Sequence, residues 1–111
     1  MRRLRSIATA FLVVACGHGA LANCYDTFGC SDRNRFRASD LAARPNCEFL
    51  YSMRNAIYAQ HGYCFHTPRG IATFGNHDCR FNDVNLVPLN AIERANAATI
   101  LQVEHRLGCA D

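Results

Sequence analysis

Six cysteines between residues 24 and 109 constrain this chain more than anything else in it: Cys24, Cys30, Cys47, Cys64, Cys79 and Cys109. A seventh, Cys16, belongs to the opening stretch "MRRLRSIATAFLVVACGHGALA", which carries three arginines and then a run from Ile7 to Cys16 that is apolar except for Thr9. That pattern is the charged and apolar halves of an export signal over residues 1–22, too short to span a bilayer as a helix. Two processing readings follow. Ala20 and Ala22 give the small-x-small pattern of cleavage before Asn23, whereas "VVAC" at 13–16 fits lipid anchoring through Cys16 in bacteria. Val13, where the lipid pattern prefers leucine, favours simple secretion. Either route removes Cys16 from disulfide chemistry and leaves an even number of cysteines in a short exported chain, which implies a disulfide framework with fifteen conceivable pairings. Metal binding is disfavoured, because there is no C-x2-C pair and the five histidines show neither H-x3-H nor HExxH spacing. No cofactor is expected.

Charge bears on partners only after the leader is set aside. The chain has 12 basic residues, all arginine, and 9 acids, for a net charge of +3. Removing Arg2, Arg3 and Arg5 leaves nine arginines against nine acids, a neutral mature chain. The excess charge is export machinery, so neither nucleic acid nor a membrane surface is implied as partner. Residues 23–111 suffice for one small domain, in which cross-links supply stability that a modest core cannot.

Residues 23–45 are polar and arginine-rich and read as an irregular arm: "CYDTFGC" can close a small loop, and "SDRNRFRASD" supports at most one helical turn before Pro45. From Asn46 the pattern is helical. Asn46 caps a first helix with Glu48 in its first turn; Glu48, Ser52, Asn55 and Ala59 share one face, and Phe49, Leu50, Met53, Ala56 and Ile57 the other. Gly62 ends it. Thr67-Pro68 starts a short second helix that stops at Gly75, and "NHDCRFNDVN" is loop. Pro88 opens the longest helix, to Leu107, with Gly108 as its C-cap and Leu89, Ile92, Ile100, Val103 and Leu107 as an apolar stripe interrupted by Asn96. The expected fold is mainly α: a small three-helix, disulfide-stapled domain over residues 46–111, preceded by the arm. If the first and third helices pack antiparallel, Cys47 lies beside Cys109, leaving Cys64 with Cys79 and Cys24 with Cys30; spacing alone does not exclude other pairings.

The chemistry-bearing cluster is Arg54, Tyr58, His61 and Asn96. Seven residues are nearly two turns, so Arg54 and His61 share a face with Tyr58 close by, inside the apolar arc, and Asn96 is inside the stripe of the partner helix. Buried polar groups must find partners. They satisfy one another, the guanidinium donating to loop carbonyls or Asn96, or they line a groove that grips an anionic ligand such as a carboxylate. A hydrolase using His61 as general base with Cys64 or a tyrosine as nucleophile is the weaker reading, since Cys64 belongs to the disulfide set. No G-x-S-x-G, phosphate-cradling glycine loop or paired-carboxylate motif occurs. Phe65, Phe74 and Phe81 read as core and loop-covering aromatics, and His66, His77 and His105 as solvated side chains.

The string "RNAIYAQHGYCF" at 54–65 resembles the YARHG domain, a small bacterial domain found outside the cytoplasm. The likeness runs from Phe49 to about Glu104: "RN" at Arg54 and Asn55, "YAQHG" from Tyr58 to Gly62, an aromatic at Phe65, "FG" at Phe74 and Gly75, and "ERAN" at Glu93 to Asn96. A cysteine before the helix, "GYCF" after it, and Cys79 and Cys109 resemble a cysteine-bearing variant. Gln60 stands where the family name has arginine, so a role needing that charge does not carry over, whereas the helix-ending role of His61-Gly62 does. The family occurs alone or beside peptidase-like and other envelope modules and has no established activity. The resemblance implies location and fold more firmly than function: a small helical module of the periplasm or the extracellular space. With the residue reading, the expected role is an interaction module that binds cell-wall material, an exported protein or an anionic ligand, with the "VVAC" pattern leaving an outer-membrane or surface lipoprotein through Cys16 as the alternative. A small hydrolase and a purely structural secreted protein are the alternatives.

Overall fold

The computed structural model describes residues 23–43 and 46–110; the leader, Cys16, Arg44, Pro45 and Asp111 lie outside that range. In chain order it contains a two-stranded hairpin, β1 (Cys24–Tyr25) and β2 (Gly29–Cys30), then helices α1 (Ala38–Ala43), α2 (Cys47–Gln60) and α3 (Pro68–Phe74), a 3-10 turn at Val84–Leu86, and α4 (Ala91–Arg106). The molecule is mainly helical, and α2 packed against α4 is its frame.

Local chemistry sets the ends of α2. The Asn46 side chain accepts the Phe49 N–H at 2.7 Å, and Glu48 sits in the first turn, where the helix dipole favours an acid. At the other end Gly62 takes φ of 85°, and the Gly62 and Tyr63 amides bond back to the carbonyls of Ala59 and Tyr58. This paired closure is the Schellman motif, and it reverses the chain at minimal steric cost because glycine lacks a Cβ. The same device ends α4, where Gly108 and Cys109 donate to His105 and Glu104. Thr67 caps α3 by accepting the Gly70 N–H, Pro68 fills its first position, and Gly75 stops it.

Two boundaries differ from the sequence reading. Helix α4 begins at Ala91, not Pro88, because Asn90 and Glu93 form a reciprocal capping box: Asn90 Oδ1 accepts the Glu93 N–H, and Glu93 Oε1 accepts the Asn90 N–H. Its inward face holds Glu93, Asn96, Ala97, Ile100, Val103 and Glu104, while Leu107, expected in the stripe, is 46% exposed beyond the helix end. The arm is also more ordered than a single turn. It holds the hairpin and α1, and its Phe36 and Leu41 enter the same core as Leu50, Met53, Ile57, Val87, Ile100 and Val103. Residues 23–43 and the helices after them therefore share one interior.

Among the described residues three disulfides staple the fold. Cys24–Cys30 closes the hairpin, Cys64–Cys79 brackets α3, and Cys47–Cys109 joins the start of α2 to the residue just past the end of α4. That last pair follows from antiparallel packing of the two long helices. Among the described residues no helix is long and apolar enough to cross a membrane.

Candidate functional site

Three cross-links tie α2 and its C-cap residue His61 to α4 and the residue just past its end, at seven-residue intervals from Cys47, so each falls on the same face nearly two turns from the next. The first is Cys47–Cys109. The second is a two-pronged ion pair: Arg54 Nε donates to Glu104 Oε1 at 2.5 Å and its Nη2 donates to Oε2 at 3.1 Å. The third sets His61 Nε2 at 2.6 Å from Glu93 Oε2, the carboxylate whose other oxygen completes the capping box. Glu104 and Glu93 are only 3% and 2% exposed, so each carboxylate depends on its partner for the solvation it has lost. Burial is the largest influence on the Arg54 guanidinium and pulls its pKa down. The Glu104 hydrogen bond and charge, with smaller help from Tyr58 and Tyr51, more than offset it, and the net shift is upward.

Arg54 therefore reaches a carboxylate on α4, not a loop carbonyl or Asn96. Asn96 faces the arm. Its Oδ1 accepts the Phe36 N–H at 2.8 Å, and its Nδ2 donates to the carbonyls of Ser31 at 3.0 Å and Asn34 at 2.8 Å. With that the amide is occupied in clamping the 31–36 segment onto α4. Of the four residues expected to gather, only Arg54 and Tyr58 line a common depression. His61 opens onto a different cleft, beside His77 and Arg80, whose lining contains no serine, threonine, cysteine or tyrosine. Cys64 is closed in its disulfide.

Two shallow depressions meet at Arg54 and Leu101. One, of about 480 Å³, has Tyr51, Tyr63, Phe65, His66 and Arg69 among its walls. The other, of about 280 Å³, has Tyr58, Val84, Leu89 and Arg94. Neither lining contains an acid, although they bring together three arginines, Arg54, Arg69 and Arg94. A cleft of about 510 Å³ between the hairpin and the start of α2 has the opposite character: Tyr25, Phe28 and Phe49 with Asp26 and no cation. Burial there pushes the Tyr25 phenol pKa up. Among the described residues no group of three or more His, Cys, Asp or Glu side chains is placed to hold a metal ion.

Sequence reasoning passed over Glu93, Glu104 and Arg69. The two acids carried a readable signal, since eleven residues on a helix return to within about 20° of the same direction. Both fall beside Asn96, Ile100 and Val103 on the inward face. Arg69 had none, because its place depends on how α3 folds back over α2. Its guanidinium carbon sits 3.6 Å from the centroid of the Tyr51 ring, and its Nη2 donates to Glu48 at 2.8 Å.

A family model described as the YARHG domain matches residues 25–105. No curated protein and no solved structure matches the chain. The match opens inside the hairpin and closes in the last turn of α4, so it takes in the arm, all four helices and both depressions around Arg54. The chain belongs to the YARHG domain family.

Proposed function

We propose that the chain is exported from a bacterial cell and acts in the periplasm or outside the cell as a binding module for an anionic component of the envelope, through the depressions on either side of Arg54. The leader at residues 1–22, the disulfides and the family support export. The observation that carries binding is the convergence of Arg54, Arg69 and Arg94 on two depressions whose linings hold no acid, in a mature chain with as many acids as arginines; Arg54 is paired with Glu104 behind that surface and Arg69 with the exposed Glu48 beside it. Net charge cannot produce that patch; only placement can, and arginine is the residue whose fork matches a carboxylate or phosphate. Tyr58 belongs to the same wall. His61, held by Glu93 at the far end of α2, positions the helix end and is not part of the grip. A hydrolase using His61 is the poorer reading because Cys64 is oxidised and the cleft at His61 offers no hydroxyl or thiol nucleophile.

The test is sedimentation of the oxidised mature protein with protein-free cell-wall sacculi. The protein is expected to pellet with the sacculi, to be released by salt as surface charge interactions are, and to pellet less as Arg94→Ala. A protein that stays in the supernatant at low salt would overturn the reading and leave a structural or protein-binding role.

A further inference from the structure

We infer that Arg69, preset by Tyr51, is the anion-gripping residue of this surface, and that the ligand is a carboxylate joined to an apolar or aromatic body. The inference deepens the proposed function and rests on its claim that the arginine surface takes an anion.

The three arginines differ in what they have left to offer. Arg54 spends Nε and one terminal nitrogen on Glu104 and is pinned between the helices. Arg69 lies with its guanidinium carbon 3.6 Å from the Tyr51 centroid. Stacking uses the face of a guanidinium and leaves its edge donors pointing outward in the plane, where a carboxylate meets them two at a time. The ring also fixes the orientation in advance, so less side-chain freedom is lost when a ligand arrives. Tyr51 is itself held, being only 7% exposed in the middle of α2.

A carboxylate already tests that edge. Glu48 accepts from Arg69 Nη2 at 2.8 Å, yet its side chain is 70% exposed and that of Arg69 is 35% exposed. An ion pair so open to water is worth little and exchanges readily. Glu48 is thus an internal competitor that marks the anion class the edge accepts. Among the described residues no other protein acceptor engages the Arg69 guanidinium. Beside it the depression of about 480 Å³ continues over Tyr63, Phe65 and Leu101, with His66 at its rim. Its size is that of a small ligand or one or two residues of a chain, and its walls match a flat apolar group next to the anion.

The experiment is a two-dimensional amide NMR titration of the oxidised mature protein with N-acetylphenylalanine and, separately, with N-acetylphenylalanine amide, which differ only in the carboxylate. The acid is expected to shift amides of α3 and of residues 51–54 saturably, and the amide much more weakly. Arg69→Ala should weaken the acid by about tenfold, the usual consequence of losing a hydrogen bond to a charged group. Glu48→Gln should strengthen it severalfold, because the competitor is gone; a loss of fold cannot imitate that gain. Equal affinity for acid and amide would overturn the inference. So would an acid that binds Arg69→Ala and Glu48→Gln as it binds the parent but loses affinity to Arg94→Ala, a result that keeps an anion site and moves it to the Tyr58 side.

Discussion

Arg54 presents a hazard to anyone who substitutes it to test binding. Its partner Glu104 is 3% exposed and takes both of its hydrogen bonds in this pair from the guanidinium. Arg54→Met therefore leaves a buried carboxylate unpaired, and the expected cost is about 3–5 kcal/mol by urea denaturation. Arg54→Met with Glu104→Met together should recover most of that, since two apolar side chains of similar length replace the pair without stranding a charge. If the double variant is as unstable as the single one, the pair is not what holds the helices at this level. The positions of Arg54 and His61 on one face were legible from their seven-residue spacing, and so was the need for partners. Which partners was not. Acids are surface residues by default, and a reading that counts only apolar positions on α4 passes over Glu93 and Glu104 even though they share the inward face with Ile100.

Helix ends in this protein are set locally, and they were the most readable part of the fold. Asn46, Thr67, Gly75, Gly62 and Gly108 each do their work through bonds within a few residues, so the type of residue announces the boundary. A Cβ built on Gly62 meets nothing closer than Arg80 at 3.6 Å, an ordinary contact. The expected loss for Gly62→Ala is then the left-handed backbone penalty alone, about 1 kcal/mol, with Gly62→Asn costing less; thermal denaturation of the two variants distinguishes this from a packing defect, which would penalise asparagine more. Pro88 misled because a capping box two residues later outcompetes it. Helix α1 was beyond reach because only Leu41 of its six residues is buried, and one apolar residue has no period. What fixes α1 is tertiary, the docking of Phe36 and Leu41 and the clamp of Asn96 on Phe36, sixty residues apart.

At the scale of the whole molecule, stability is divided unevenly among the three bridges. Cys47–Cys109 spans 62 residues and Cys24–Cys30 only 6. In the chain-entropy treatment the long bridge contributes about 4 kcal/mol and the short one about 2 kcal/mol. Cys47→Ala with Cys109→Ala should accordingly lower the urea midpoint far more than Cys24→Ala with Cys30→Ala; equal losses would mean that the hairpin, not the helix pair, carries the fold.

The order of those bridges along the chain has a further consequence. Cys64–Cys79 is nested inside Cys47–Cys109. Synthesis runs from the N-terminus, so Cys47 meets Cys64 long before Cys109 exists, and an oxidant that joins cysteines as they appear would couple the wrong two. Only Cys24 and Cys30 can be joined safely on first encounter. The native set is reached either by keeping Cys47 reduced until the last turn of α4 is made or by reshuffling a premature bond; in the second route a thiolate attacks the Cys47–Cys64 disulfide, releases one of its two cysteines as a thiolate, and forms a new disulfide that a further thiolate then resolves. A host lacking a disulfide isomerase should therefore accumulate a Cys47–Cys64 isomer, recognisable by peptide mapping.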